Sequence, residues 1–248
     1  MRAKKSLGQN FLKSEAALQK IIGAGELGPK DTILEIGPGK GALTERLLVH
    51  AGKVIAVEKD RELVEFLKTK FKEEISVGKL VLINEDILSF SNVLRNYKII
   101  ANIPYNITGA ILKKFLTSEN QPERMILMLQ HEVAQRIVAG PRRGGAGGKE
   151  SILSISVKAY GQPKMLMKVP ARYFSPAPKV DSAIIAITNI SRKLFAVQSV
   201  QSSTLHSSKE FEEKFWGIVK KGFAHKRKKL SSNLKGLMEK EKLSLLGK

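Results

Sequence analysis

From residue 32 onward, short apolar runs alternate with stretches of helical spacing. "TILEI" (32–36) is an apolar run that ends in "GPGKG", and Leu43, Leu47 and Leu48 then recur at helical intervals. "KVIAVEKD" is a second strand-like run, followed by an amphipathic stretch with Leu63, Phe66, Leu67 and Phe71. "KLVLINEDIL" is a third strand and "YKIIANIPY" a fourth. "ITGAILKKFL" reads as a helix, "RMILMLQ" as a fifth strand, and "HEVAQRIVA" as another helix. "SILSISVKAYG" and "SAIIAITNI" add two apolar, β-branched runs. Strands alternating with helices predict an α/β fold with a mostly parallel sheet covered on both faces. The last two runs follow closely without a long helix after the first, which predicts an antiparallel pair at one edge.

Two loops interrupt this pattern. "AGPRRGGAGGKE" (139–150) carries five glycines, two arginines and a lysine. "RYFSPAPKVDS" (172–182) carries two prolines that fix an extended path into the strand that follows. After about residue 188 the pattern turns helical and basic, in "FEEKFWGIVKKGF" and "KRKKLSSNLKGLM". The expected organisation is a main domain over 1–187 and a small basic helical domain over 188–248.

Composition narrows the chemistry. The chain has 248 residues, 42% of them hydrophobic, which suits a globular protein with a sizeable core. No apolar stretch approaches the ~20 residues needed to cross a bilayer. The basic start "MRAKKSLGQNFL" has no apolar stretch behind it, so a cytoplasmic location is expected and no membrane association. There are no cysteines, which removes disulfides, thiolate catalysis and Cys-ligated zinc. His50, His131, His206 and His225 are scattered without ligand-like spacing, so no metal is expected. Charge is the strongest bulk signal: 43 Lys+Arg against 23 Asp+Glu give a net +20. Residues 188–248 hold 14 Lys/Arg against 5 Asp/Glu, a net of +9. Such an excess points to a polyanionic partner.

The first strand leads into "EIGPGKGALT", with Glu35, Gly37, Gly39 and Gly41. Glycines at a strand-to-helix turn let a ligand approach the backbone. Glu58, at the end of the next strand, lies 17 residues beyond Gly41 and is placed to bond a ribose. The spacing is G-x-G-x-G rather than the dinucleotide G-x-G-x-x-G. Asp86, at the end of the third strand, completes a row of three rim carboxylates with Glu35 and Glu58. This set is similar to that of S-adenosylmethionine-dependent methyltransferases. A dehydrogenase-type domain, or glycines that serve packing only, is the plainer reading.

Asn102 ends the fourth strand on the same rim, in "ANIPYNIT". Pro104 keeps Ile103 out of helical space, so backbone carbonyls stay available beside the Asn side chain. An amide oxygen plus one carbonyl makes a two-point acceptor for an amino group. Tyr105 offers a flat face to a base. That combination suits methylation of an exocyclic adenine amine, whose lone pair is delocalised and needs orientation more than a base. An Asn that only caps a turn beside a core Tyr is the bland alternative.

With these motifs the chain resembles the small-subunit ribosomal RNA adenine N6,N6-dimethyltransferases over nearly its whole length. "GQNFL" (8–12), "ILEIGPGKGALTERLL", "VIAVEKD", "NEDIL", "ANIPYNIT", "MLQHEVAQRIVA", "FSPAPKVDSAI" and "GFAHKRKKLSSNL" follow in family order. The resemblance implies a Rossmann-like class I methyltransferase sheet and S-adenosyl-L-methionine as cofactor. It implies cofactor contacts from Gln9, Asn10, Leu12, Gly37, Gly39, Glu58, Asp86, Ile87 and Asn102. Asn102 and the carbonyl of Ile103, in the turn with Pro104, would hold the target amine. Tyr105 and Phe174 would sandwich the adenine. The implied substrate is a pair of adjacent adenosines near the 3′ end of small-subunit rRNA, in a pre-ribosomal particle, met by a monomer. Ala101 and Ile103 stand where the family usually has Gly and Leu, and both changes keep the carbonyls. The glycine-rich loop and the short C-terminal segment also depart from the pattern.

The target bases must be unstacked to reach such a site. Arg142, Arg143, Lys149, Lys226, Arg227, Lys228 and Lys229 are the basic residues expected to hold the RNA phosphates. Three competing readings are a large-subunit rRNA adenine methyltransferase of the antibiotic-resistance type, a non-catalytic RNA-binding assembly factor, and a small-molecule methyltransferase. The C-terminal "HKRKKLSSNLKG" and "SPAPKVDS" favour the small-subunit branch. Intact Gly37, Glu58, Asp86 and Asn102 argue against loss of catalysis, and the net charge against a small substrate.

Overall fold

The computed structural model describes all residues except 1–2, 5–6, 141–147, 197–207, 226 and 237–248. In chain order the strands are β1 (Phe11–Leu12), β2 (Thr32–Ile36), β3 (Lys53–Glu58), β4 (Leu80–Asn84), β5 (Tyr97–Asn102), β6 (Arg124–Gln130), β7 (Gln162–Val169), β8 (Phe174–Ser175) and β9 (Ser182–Thr188). The helices are α1 (Glu15–Gly25), α2 (Ala42–His50), α3 (Arg61–Lys70), α4 (Lys72–Ser76), α5 (Thr108–Leu116), α6 (His131–Val138), α7 (Ile152–Lys158), α8 (Lys193–Ala196) and α9 (Ser208–Gly222).

Seven strands form one sheet in the order β4-β3-β2-β5-β6-β9-β7. The first five in that order run parallel, whereas β9 is antiparallel to β6 and β7 is antiparallel to β9. The parallel strands read as near-continuous apolar runs because both faces are buried. Leu34, Ile36, Ile55, Val57 and Ile99 belong to one apolar cluster. Their neighbours Ile33, Val54, Ala56 and Ile100 belong to another. That alternation is the period of two expected of a strand.

The winding reverses at β2. From β2 the chain builds outward through β3 to β4, then returns to place β5 on the other side of β2. The C-terminal ends of β2 and β5 therefore flank a crevice, the usual ligand position in an open α/β sheet.

The antiparallel edge is present, but one of its strands is not where the sequence pattern put it. "SILSISVKAYG" forms helix α7, not a strand. The Ser151 hydroxyl accepts from the Ser154 amide at 3.1 Å, and the Ser154 hydroxyl accepts from the Ser151 amide at 2.7 Å. This reciprocal cap starts a helix despite the β-branched content, with Ser154 and Val157 on its buried face. The edge strand is β7, "QPKMLMKV", with lysines on its exposed positions.

The described part of the segment after residue 188 packs on the sheet's own core. Phe195 is buried in the same cluster as Tyr160, and Phe211, Phe215 and Trp216 pack against it. Glu212 accepts hydrogen bonds from Tyr160 and Arg192, and Trp216 Nε1 donates to the Tyr160 hydroxyl at 3.1 Å. Residues 230–236 are also helical.

Candidate active site

The crevice opens into a cavity of about 590 Å³. The turn after β2 forms its floor, the ends of β3, β4 and β5 its rim, and residues 7–13 a further wall.

The floor needs its glycines. Gly37, Gly39 and Gly41 have φ of +65°, +60° and +79°, in the left-handed region where a Cβ is strained. At Gly41 space is short as well: a Cβ would lie 2.5 Å from Phe71 Cε2 and 2.9 Å from Leu67 Cδ2. At Gly37 a Cβ would meet nothing within 4 Å, so there the backbone conformation alone makes the demand.

Three carboxylates stand on the rim, each in a different state. Glu35 is 1% exposed. Burial pushes its pKa up to about 8, with a smaller downward pull from the neighbouring Thr44 hydroxyl and an upward push from Glu58. Yet among the described residues Glu35 Oε2 and Thr44 Oγ1 each lack a hydrogen-bond partner, so the pull from Thr44 is weak. Glu58, 6% exposed, accepts from Gly39 N at 3.2 Å and from Asp60 N at 2.9 Å. Burial raises its pKa, and those amide bonds offset only part of the rise. Asp86 is the most exposed of the three. Lys59 Nζ donates to it at 2.8 Å and Leu88 N at 2.9 Å, and these hold its carboxyl below the usual range.

At the end of β5, Asn102 Nδ2 donates to the Asn10 carbonyl at 3.1 Å. This fixes which end of the amide is which. Ile103 N donates to Met128 O at 3.1 Å, tying the turn to β6. The carbonyls of Pro104 and Tyr105 are engaged within the turn, by Ile107 N and Thr108 Oγ1. A 3-10 turn over Tyr105–Ile107 then leads into α5. Tyr105 is half-buried, and its hydroxyl pairs with Ser182 Oγ at 2.6 Å. Burial raises the pKa of that hydroxyl.

The structure gathers most of the residues expected at the site into one place. Gln9, Asn10, Leu12, Gly37, Gly39, Glu58, Asp86, Ile87, Asn102, Ile103, Pro104 and Tyr105 all line the cavity. Phe174 does not: it is 4% exposed, pairs through β8 with Leu12 of β1, and packs in the apolar cluster, while Ser175 lines the wall. Lys149, Arg227, Lys228 and Lys229 are exposed. Arg142, Arg143 and Lys226 lie outside the described residues. Among the described residues no group of His, Asp or Glu is arranged to hold a metal, and no helix is long and apolar enough to cross a membrane.

Two features escaped the sequence reading. One is Asp60, which accepts from Lys4 Nζ and Gln9 Nε2, both at 2.8 Å. Its only signal was its place before a helix, where Asp is a common cap. The other is Lys40, whose ammonium lies 4.9 Å from the centre of the Phe11 ring, both residues lining the cavity.

A reversed parallel sheet, a three-glycine turn and a carboxylate at the end of each of three successive strands define a Rossmann-like α/β methyltransferase. The chain belongs to the ribosomal RNA adenine dimethylase family, whose model matches residues 1–248. A relative from Dehalococcoides mccartyi strain CBDB1, named ribosomal RNA small subunit methyltransferase A, is 41% identical over 239 residues, covering 94% of this chain and 75% of the relative. Among solved structures, a dimethyladenosine transferase from Plasmodium falciparum superposes with a TM-score of 0.74 at 27% identity, covering 91% of this chain and 74% of that one. The 23S rRNA methyltransferase ErmE superposes at 0.71, also at 27% identity, covering 91% and 83%. Family membership makes the chain an rRNA adenine methyltransferase, as its motifs predicted.

Proposed function

We propose that this protein dimethylates the N6 amines of two adjacent adenosines near the 3′ end of small-subunit rRNA, acting as a cytoplasmic monomer on a pre-ribosomal particle, with S-adenosyl-L-methionine as methyl donor. The observation that carries the reading is the fixed amide of Asn102. With one N–H of its amide donated to the Asn10 carbonyl, its oxygen is available to accept from a ligand in the cavity. The Ile103 carbonyl is the second acceptor of the pair.

The cavity fits this cofactor. Glu35 Oε2 is a buried acceptor in the cavity wall without a partner among the described residues, suited to an ammonium group. Glu58 keeps acceptor capacity beyond its two amide bonds and suits ribose hydroxyls. Asp86, held by Lys59, suits an adenine amine, and Ile87 and Leu12 supply apolar walls. When bound, S-adenosylmethionine supplies an activated methyl group. The chain's own contribution is orientation. Asn102 and Ile103 take the two hydrogens of the target amine and turn its nitrogen toward the cavity. Tyr105, steadied by Ser182, supports the base. Phe174 serves as the opposite face only if the packing between β1 and β8 opens around it.

Lys149, Arg227, Lys228 and Lys229, with Arg142, Arg143 and Lys226, are assigned to the RNA phosphates, and the segment 188–248 to RNA binding. The likeness to ErmE favours a second reading, in which the substrate is large-subunit rRNA. One experiment separates the two. Unmodified small and large ribosomal particles are incubated with the protein and labelled cofactor, and the product is mapped by mass. Dimethyladenosine near the 3′ end of the small-subunit RNA supports the proposal, and product in the large particle alone overturns it.

A further inference from the structure

Residues 7–13 make one wall of the cavity, but they carry little regular structure of their own. Three contacts fix their C-terminal half: the short β1–β8 ladder, the bond from Asn102 to the Asn10 carbonyl, and Lys13 N donating to Tyr173 O at 2.8 Å. The other half is tied to the rest of the fold through the side chain of Asp60. Asp60 Oδ1 accepts from Lys4 Nζ and Oδ2 from Gln9 Nε2, both at 2.8 Å. The Lys4 amide then donates to Gln9 Oε1 at 2.7 Å, so carboxylate, lysine and glutamine close a ring.

Asp60 is 5% exposed and does not line the cavity. It reaches the ligand site through others. Its own amide donates to Glu58 Oε1, and the other Glu58 oxygen accepts from Gly39 N. The N-terminal wall, the rim carboxylate and the glycine turn are thus one connected network with Asp60 at its centre. Burial disfavours its charge, but the bonds from Lys4, Gln9 and the Glu62 amide outweigh this and hold its pKa below the ordinary carboxylate value.

We infer that Asp60 is a positioning residue for the cofactor: it clamps the wall formed by residues 7–13 over the bound ligand without touching that ligand. Gln9 then serves as part of the clamp, since both ends of its amide are committed to it. The inference rests on the reading that the cavity takes S-adenosylmethionine. Its competitor is a purely structural role, because Asp60 also caps α3 by accepting from Glu62 N. Asparagine caps helices as well as aspartate does, so Asp60→Asn keeps the cap and removes the Asp60 charge from the clamp, leaving Lys4 its ion pair with Glu62 at 2.9 Å.

The test is equilibrium binding of labelled S-adenosylmethionine to the full chain, alongside steady-state kinetics with small ribosomal particles. Asp60→Asn and Lys4→Met are each expected to raise the cofactor Kd by about five- to tenfold, the scale of a charge-assisted bond at a partly exposed site. Most of that change should lie in faster dissociation. In the double variant the losses should combine less than additively, since both remove the Lys4–Asp60 contact, although Lys4→Met also removes the ion pair to Glu62 at 2.9 Å. The KM for RNA and the rate at saturating cofactor should change less than about twofold on the same reasoning. Unchanged cofactor affinity in both variants, or losses that add in the double variant, overturns the clamp. If Asp60→Asn does not fold, Lys4→Met decides alone. A wild-type chain that binds no S-adenosylmethionine overturns the cavity reading and the clamp with it, whereas normal wild-type binding with unaltered variants overturns the clamp only.

Discussion

Asn102 and Asn10 lie 92 positions apart in the chain, yet the side-chain amide of the first donates to the backbone carbonyl of the second at 3.1 Å. That one bond joins the end of β5 to the N-terminal wall of the cavity. It also engages one of the two N–H donors of the Asn102 side chain and orients the amide, leaving its oxygen as an acceptor for a ligand. A site that grips an amino group needs that polarity.

Tyr105 carries a ring and a hydroxyl that substitution can separate. Tyr105 lines the cavity, and its hydroxyl pairs with Ser182, which is 0% exposed. Tyr105→Phe keeps the ring and leaves the Ser182 hydroxyl without that partner. It should cost about 1–2 kcal/mol in denaturant unfolding while methyl transfer stays within a few-fold of wild type. Tyr105→Ala should lose the stacking as well, about 1–3 kcal/mol of RNA-base binding, seen as a higher KM for RNA.

The glycine turn predicts an ordered pair of stabilities. Gly37→Ala meets only backbone strain, about 1–2 kcal/mol. Gly41→Ala meets the same strain plus Phe71 and Leu67 at 2.5 and 2.9 Å, and should cost about 2–4 kcal/mol. Equal urea midpoints for the two variants would refute the packing argument at Gly41.

Glu35 predicts how the ligand-free protein responds to pH. Its folded pKa, about 8, stands above the ordinary 4.5 because burial penalises the charged form. Between those values the unfolded chain holds fewer protons than the folded one, so stability falls as pH rises through that window. Glu58, also raised by burial, pulls the same way. Glu35→Gln should flatten the fall and make the ligand-free protein more stable at pH 9, by about 1–3 kcal/mol after relaxation. Thermal unfolding at pH 5, 7 and 9 reads this directly, and a wild-type profile that rises toward pH 9 would contradict it.

The exposed basic residues predict a salt signature. Removing Lys228 and Lys229 should lower the slope of log affinity for RNA against log salt by about 1 per residue. It should raise the KM for RNA more than it lowers the rate at saturation. A lowered rate with unchanged KM would take these residues out of the RNA surface.

Much of this site was legible in the sequence because its parts are local. Gly37 to Gly41, Glu58, Asp86 and Asn102 each end an apolar run, and an apolar run in an α/β chain ends at the ligand rim. What could not be read depends on distant partners. The segment at 151–158 carries β-branched residues, and only the reciprocal bonds of Ser151 and Ser154 reveal a helix. β7 is broken by polar residues because it lies at the sheet edge, which no local pattern states. Phe174 looked like a stacking platform in its proline-braced loop. Its pairing with β1, more than 160 positions earlier in the chain, places it in the core.

The most direct test of the rim-acceptor account sets two measurements on Asn102→Ala side by side: affinity for S-adenosylmethionine and methyl transfer to unmodified small ribosomal particles. The account predicts cofactor binding within about tenfold of wild type and transfer reduced by about 10² or more, the scale of a lost positioning contact. Full methyl transfer by that variant, with dimethyladenosine formed at the wild-type rate, would contradict it.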